Sequence, residues 1–456
     1  MRIKKEVRKI VASVLAFLMV VSLIPVNSLM TKANAASKTT FEGGKTVEDG
    51  TWKGWTWNVF GSSTDVTKAF ATDTGNGGVT LEVTGDKGKI NGSASDQGLN
   101  TFLYELDKSY DFTITAQAKV DTLAANAQAA FGLTIRDNVG AHGNTAKLTA
   151  DKNNFAFVGG YGNQAASGHG NAGYKTTALA HTRLGESPEV GGTYDLAIQK
   201  VGNSVKLYFN GEVAAECSAD DLITDNAMYV GLFAARNAKV TFNNVKLAYT
   251  QDSSSVKVTT NVTAPKKTTY CAGNTYEDVD LTGFKATVSV DGKEREITAS
   301  DCVVDMSNDP FAEVTDAGKL TLLYLGQTIE VPITVIKEVV SDMYIEYMPV
   351  KTDYMVTDTA LDFTGLVGKV VYNSGRTFDL KTLIDSNDTN TKVSDVDFTT
   401  AGNKEVTVSH TYGDVTKEVV IPISVSDATV KDITITAPNT TRFYTCLLYT
   451  SPSPRD

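Results

Sequence analysis

All three tryptophans of this chain fall within six residues, at Trp52, Trp55 and Trp57. A flat indole face stacks on the C–H face of a sugar ring while neighbouring polar groups bond the hydroxyls. Trp55 and Trp57 share one strand phase, which suits a core. Trp52 lies on the other phase and is the expected exposed platform; the competing reading is that all three fill a core. On Gln128–Asp137, Phe131, Leu133 and Ile135 point one way and Gly132, Thr134 and Arg136 the other. With the apolar set buried, Arg136 stands on the outer face. Its guanidinium could bond sugar hydroxyls or a uronate carboxylate, or simply form a surface ion pair with Asp137. The Gly-rich stretch 159–173 follows an expected strand at Phe155–Val158 and carries Tyr161 and His169, with Tyr174 just beyond it. It reads as the mobile rim of a binding face, or as a merely flexible loop. Gly160-Tyr-Gly162 imitates a dinucleotide fingerprint, but no helix follows, so phosphate binding is rejected. The carbohydrate-binding candidates are therefore Trp52, Arg136, Tyr161, His169 and Tyr174.

No catalytic residue is assigned. His142, His169, His181 and His410 have no metal-ligand spacing, and neither H-E-x-x-H nor G-x-S-x-G occurs. No dense Asp/Asn/Gly loop suggests calcium, so no metal and no cofactor is expected. Apart from Cys446, the cysteines are Cys217, Cys271 and Cys302. A Cys271–Cys302 bridge is conceivable, but Met355 takes the place of Cys271 in a second repeat, and three thiols are the favoured reading.

The elements that must hold these side chains are strands. Phe112, Ile114, Ala116, Ala118 and Val120 alternate with Thr113, Thr115, Gln117, Lys119 and Asp121, a half-buried strand with one polar face. Gly202-Asn203 and Asn210-Gly211 are hairpin signals, and a phase slip at Asn243-Asn244 reads as a β-bulge. Ten to thirteen strands between Val47 and Tyr249 fit one large two-sheet sandwich.

Beyond the polar joint 251–255 a signature recurs: Pro265-Lys-Lys-Thr-Thr-Tyr270, Pro349-Val-Lys-Thr-Asp-Tyr354 and Pro438-Asn-Thr-Thr-Arg-Phe443, with starts 84 and 89 residues apart. Val331-Pro-Ile-Thr-Val335 and Ile421-Pro-Ile-Ser-Val425 match near the ends, and Asp291-Gly292 and Asn373-Ser-Gly375 mark equivalent hairpins. Tandem all-β modules of this size serve as spacers or display arms. The third copy stops after about one strand, so the chain reads as a fragment.

The N-terminus carries Arg2, Lys4, Lys5, Arg8 and Lys9, then an apolar run from Ile10 to Val26, then Ala33-Asn34-Ala35. That is a secretory signal, cleaved after Ala35 or Ala36; the alternative is a retained anchor. Removing residues 1–35, with six basic and one acidic side chain, changes the formal charge from −11 to −16. Such acidity argues against nucleic acid and against anionic polymers as general electrostatic partners, although a local basic pocket could still bind an acidic sugar, and no membrane span is expected after cleavage.

The repeats resemble bacterial immunoglobulin-like modules, found in tandem on secreted Gram-positive proteins, where they act as stalks. Phe131-Gly-Leu-Thr-Ile-Arg-Asp137, Tyr229-Val-Gly-Leu-Phe-Ala-Ala-Arg-Asn237 and Val240-Thr-Phe-Asn-Asn-Val-Lys-Leu247 resemble the concanavalin-like jelly rolls accompanying polysaccharide-degrading enzymes of gut Firmicutes. In that family one concave sheet often binds glycans. The paired-carboxylate strand motif of the related glucanases is missing, since Glu105-Leu-Asp107 offers no third carboxylate. Residues 446–456 resemble a translated sequencing adapter and are set aside from the fold.

The expected fold class is all-β: signal peptide 1–35, jelly-roll sandwich 36–250, linker 251–255, immunoglobulin-like sandwiches 256–338 and 339–427, and a truncated third copy 428–445. The expected function is a secreted or cell-surface module that binds a polysaccharide without catalysis. Cell-wall association through sequence beyond residue 445 stays open. Two alternatives stand beside this reading: the accessory front of a truncated polysaccharide lyase or glycoside hydrolase, and an adhesin that recognises protein.

Overall fold

The computed structural model describes residues 39–428, apart from 63, 91–96, 127, 147, 149–153, 163, 171–179 and 186, together with 432–436. The expected signal peptide, residues 429–431 and 437–445 of the third copy, the tail from 446 and Tyr174 lie outside the described residues.

Alternating apolar and polar residues build fifteen strands up to Thr250: β1 (Thr39–Thr40), β2 (Trp55–Phe60), β3 (Ala69–Gly75), β4 (Gly78–Val83), β5 (Leu99–Asp107), β6 (Asp111–Leu123), β7 (Ala130–Arg136), β8 (Phe155–Tyr161), β9 (Gln164–Gly170), β10 (Ala180–Arg183), β11 (Thr193–Val201), β12 (Ser204–Phe209), β13 (Glu212–Ser218), β14 (Ala227–Ala235) and β15 (Ala238–Thr250). They form two antiparallel sheets. The first runs β1-β3-β4-β15-β6-β11-β12-β13 and the second β10-β9-β8-β7-β14-β5-β2. Chain neighbours such as β5 and β6 fall in different sheets, which is the crossing pattern of a jelly roll.

The main core lies between the sheets, with Phe112, Ile114, Val240 and Phe242 of the first facing Phe131, Leu133, Val230 and Leu232 of the second. Turns fall where left-handed backbone is easy: Gly202 (φ 57°) joins β11 to β12, and Asn210 and Gly211 (φ 45° and 80°) join β12 to β13. The register of β15 against β6 shifts between Asn243 and Lys246, with Asn244 at φ 50°, so the expected bulge is present.

Two small sandwiches follow with one topology. The first pairs Lys257–Thr263, Lys285–Val290 and Lys293–Thr298 in one sheet. Its other sheet runs Thr269–Cys271, Gln327–Ile336, Thr315–Tyr324, Val303–Asp305, the first pair parallel. The second sandwich repeats this, with Asp353–Met355 parallel to Val415–Ser426. The signature explains itself in both copies. Tyr270 and Tyr354 are buried against Phe311 and Phe398, with ring centroids 4.9 and 5.2 Å apart. The lysine three residues earlier lies over each ring, Lys267 at 4.6 Å and Lys351 at 4.5 Å.

The described chain divides into two compact units after Ile336. The first sandwich therefore belongs with the jelly roll, and it covers the outer face of β6. The Leu325 N–H donates to Thr113 Oγ1 (3.1 Å), Thr115 Oγ1 donates to the Ser300 carbonyl (2.6 Å), and Tyr276 OH donates to Asp195 Oδ2 (2.9 Å). Thr113 and Thr115 are buried, not solvated as their alternation suggests, because this face carries a second layer. The joint after Thr250 is an ordered 3-10 turn, Ser253–Ser255, capped by Asp252.

Candidate functional site

Alternation places a second set of side chains on the face of the second sheet that points away from the first. One row across the strands reads Glu105, Tyr229, Arg136 and Phe155; the next Leu103, Gly231, Thr134 and Phe157; the third Thr101, Phe233, Gly132 and Gly159; the fourth Ala235, Ala130 and Tyr161. Gly132 and Gly159 oppose each other, each at φ 151°. A Cβ on Gly132 would lie 2.0 Å from the Val158 carbonyl oxygen, and one on Gly159 2.1 Å from that of Phe131. The two backbones can approach this closely only because both residues are glycine.

The middle of this face is filled. Phe60, Phe155, Phe157 and Phe233 form their own apolar cluster, with Ile90, Val139 and Leu148 packed over it. The segment after β7 is tied down on β2: Asn58 Nδ2 donates to the Gly140 carbonyl (2.5 Å), and the Val59 N–H donates to His142 Nδ1 (3.2 Å).

Arg136 stands on the outer face, as its phase requires, yet it is 0% exposed. Its guanidinium carbon lies 5.1 Å from the Phe155 ring centre and 5.6 Å from that of Phe60, and Nε donates to the Asn138 carbonyl (3.3 Å). Burial lowers its pKa to about 10, with the Asp137 charge acting the other way. Burial also raises Asp137 to about 6, opposed by the Asn154 N–H on Oδ1 (2.8 Å), by the Arg136 charge and by the Thr224 hydroxyl on Oδ2 (3.1 Å). The side chain expected to meet solvent is instead clamped between aromatic rings.

Trp52 requires a correction. It is 4% exposed and packs edge-on against Trp55 (5.6 Å) and Phe102 (5.4 Å). It precedes β2 and sits in the turn that reverses the chain into that strand, where the Trp55 N–H bonds the Trp52 carbonyl at 2.9 Å. Strand phase does not extend through a turn, so the indole points inward with the other two. Trp57 donates from Nε1 to Asn100 Oδ1 (2.7 Å), and the Asn100 amide donates to the Phe70 and Glu82 carbonyls of the opposite sheet (2.8 and 3.1 Å).

The Gly-rich stretch also differs from expectation. Gly159–Tyr161 completes β8 and Gln164–Gly170 is β9, so most of the expected loop is a hairpin. His169 lies on β9, paired with Ala156 and Ala180. Tyr161 ends β8, half-buried, opposite Gln164. Arg183 on β10 covers it: the guanidinium carbon is 5.9 Å from the ring centre, and a guanidinium N–H donates to the Tyr161 carbonyl (3.2 Å). Burial pushes the Tyr161 phenol up, with Arg183 pulling it down. Arg183 is exposed, and sequence reasoning passed it over. The available signal was its isolation, for it is the sole arginine between Arg136 and Arg236 in an acidic chain. Tyr161, Gln164 and Arg183 thus present an aromatic ring, an amide and a cation at one end of the outer face. This set can stack on a sugar, bond its hydroxyls and pair with a carboxylate.

Among the described residues no cluster of three or more His, Cys, Asp or Glu side chains could hold a metal. No helix among them is long and apolar enough to cross a membrane. Cys217, Cys271 and Cys302 form no disulfide.

No protein-family model matches the chain. Over 327 residues it is 28% identical to a protein named pectate lyase L from Thermoclostridium stercorarium; the match takes in 70% of this chain and 24% of that one, so the chain spans about a quarter of its relative. Among solved structures it is similar to the carbohydrate binding module CBM66 from Bacillus subtilis (17% identity, 45% of this chain and 98% of that one, TM-score 0.28). It is similar as well to lectin II from Ulex europaeus (10% identity, 46% and 97%, TM-score 0.29).

Proposed function

We propose that this chain is the polysaccharide-binding, non-catalytic portion of an extracellular protein that acts on acidic plant polysaccharide, and that it binds through Tyr161, Gln164 and Arg183. The observation that carries the reading is the exposed Arg183 guanidinium against the Tyr161 ring. The guanidinium N–H groups not spent on the Tyr161 carbonyl can pair with a uronate carboxylate, and the part of the half-buried ring that Arg183 leaves uncovered offers an apolar contact beside it. The relative named pectate lyase L supports a uronate polymer as the ligand class. Because this chain spans a quarter of that relative, the lyase chemistry belongs in our reading to other parts of a longer protein. The small sandwiches, immunoglobulin-like in this reading, act as spacers, and residues 1–35 direct export.

Calorimetric titration with polygalacturonate tests this. Arg183→Ala should weaken binding about tenfold or more, the size of a lost charge-assisted pair. Tyr161→Ala should weaken it similarly, and Arg183→Lys should recover only part. Unsaturated uronate products, followed by ultraviolet absorbance, should not form. Tight binding indifferent to Arg183 and Tyr161 would overturn the site, and product formation abolished by a carboxylate substitution would overturn the non-catalytic reading.

A further inference from the structure

On the opposite side of the jelly roll, between the outer face of the first sheet and the first small sandwich, lies a cleft of about 550 Å3. Its volume falls within the ~300–1,000 Å3 usual for small-ligand sites. We propose that this cleft is a second binding site, and that it takes a neutral, hydroxyl-rich ligand: the end of an uncharged oligosaccharide.

Its walls are fixed on both modules. Tyr276 OH bonds Asp195 Oδ2 (2.9 Å), Thr115 bonds the Ser300 carbonyl (2.6 Å), and the Met306 N–H bonds the Gly211 carbonyl (2.9 Å). A Cβ on Gly211 would lie 2.6 Å from the Tyr276 ring and 2.8 Å from the Val304 carbonyl, so the modules meet at van der Waals distance there. Burial beside Asp195 raises the Tyr276 phenol above its ordinary value, which keeps it a donor. A cleft held open this way asks little ordering of its walls when a ligand enters.

Ligand class follows from the lining. Gln117, Asn244, Thr193 and Thr282 supply amides and hydroxyls, while Val279 and Leu281 supply an apolar strip. That mixture suits a sugar ring, with C–H on its faces and hydroxyls on its rim. Among the described residues of the lining the charged groups are Asp195, Glu277 and Asp280, while Lys266 and Lys267 act on Asp280 from outside it. Three carboxylates oppose an anionic uronate, and they do not form a cluster able to hold a metal ion. The cleft therefore selects against the ligand proposed for Arg183, and its existence does not depend on that proposal.

Titrate the whole chain with xylotetraose, cellotetraose, galactotetraose and trigalacturonate, following amide shifts by NMR. At least one neutral tetrasaccharide should shift residues of β6, β11 and 276–282. Gln117→Ala and Thr282→Ala, with unchanged melting temperatures, should each weaken that binding about three- to tenfold. Arg183→Ala should leave it intact, which separates this site from the first. Glu277→Lys, at an exposed position, should admit trigalacturonate to the cleft. The proposal fails if no neutral tetrasaccharide binds below about 10 mM, if Gln117→Ala and Thr282→Ala change nothing, or if trigalacturonate enters the unaltered cleft in preference.

Discussion

Replacing each inward tryptophan by phenylalanine separates what its ring contributes from what its N–H contributes. Trp57 Nε1 is bonded at 2.7 Å to Asn100, whose amide holds strands β3 and β4 of the other sheet through the Phe70 and Glu82 carbonyls. Trp57→Phe strands a buried Asn100 oxygen, which costs about 1–3 kcal/mol, and it trims the ring as well. Trp52 is buried to the same degree, but its Nε1 finds no acceptor among the described residues. Trp52→Phe removes an unsatisfied donor along with some packing, so the two changes offset to within about 1 kcal/mol. At ~2–4 °C per kcal/mol, a mid-range cost of about 2 kcal/mol for Trp57→Phe lowers Tm by about 4–8 °C, and Trp52→Phe should lower it by less than about 4 °C. Urea unfolding and calorimetry read both. Trp52→Ala should cost roughly 3–5 kcal/mol, since the whole indole leaves the core. A Trp52→Phe loss equal to that of Trp57→Phe, or a harmless Trp52→Ala, would refute this placement.

Gly132→Ala should abolish soluble expression or lower Tm by more than ~10 °C, because its Cβ would lie 2.0 Å from a carbonyl oxygen at φ 151°; Gly143→Ala, at φ 75° with open space around it, isolates the cost of left-handed backbone and should cost only about 1–2 kcal/mol. His410 is 1% exposed, with Tyr372 OH on Nε2 and Thr391 Oγ1 on Nδ1, both at 2.8 Å; burial holds its pKa below the ordinary 6.5, while Asp388 at 3.7 Å pulls it up. The unfolded chain therefore takes this proton first. The stability of residues 337–428 should be fully present above pH 6.5 and fall as pH drops through the lower folded pKa, measured as chemical denaturation against pH, with His410→Gln flattening the profile. Cys217, pushed up to about 12 by burial and then by Asp221 and Glu216, should react with an aromatic disulfide reagent at pH 8 at least tenfold more slowly than the unfolded chain.

Much of the fold was legible because strand alternation and turn chemistry are local. The β6 alternation, the Gly202-Asn203 and Asn210-Gly211 hairpins, the Asn243-Asn244 slip and the recurring Pro…Tyr signature each depend on a few adjacent residues. What failed depended on neighbours distant in sequence. Phase put Arg136 on the outer face correctly, but phase says nothing of what lies on top, and Phe60 comes from a strand 76 residues earlier. Thr113 and Thr115 read as a wet face because their cover is another module. Trp52 was misjudged because it belongs to a turn, where period-two counting has no meaning. The Gly-rich stretch looked flexible in isolation; part of its glycine content answers the close approach of β7. Arg183 offered only its isolation as a signal, since its relation to Tyr161 arises from pairing through β9.

The most direct test is calorimetric titration of the whole chain with polygalacturonate at moderate salt, with Arg183→Ala in parallel and ultraviolet absorbance followed throughout. Saturable binding that weakens about tenfold or more in Arg183→Ala, with no unsaturated product, is the expected result. Absence of binding in the unaltered chain, or binding that Arg183→Ala leaves unchanged, would contradict it.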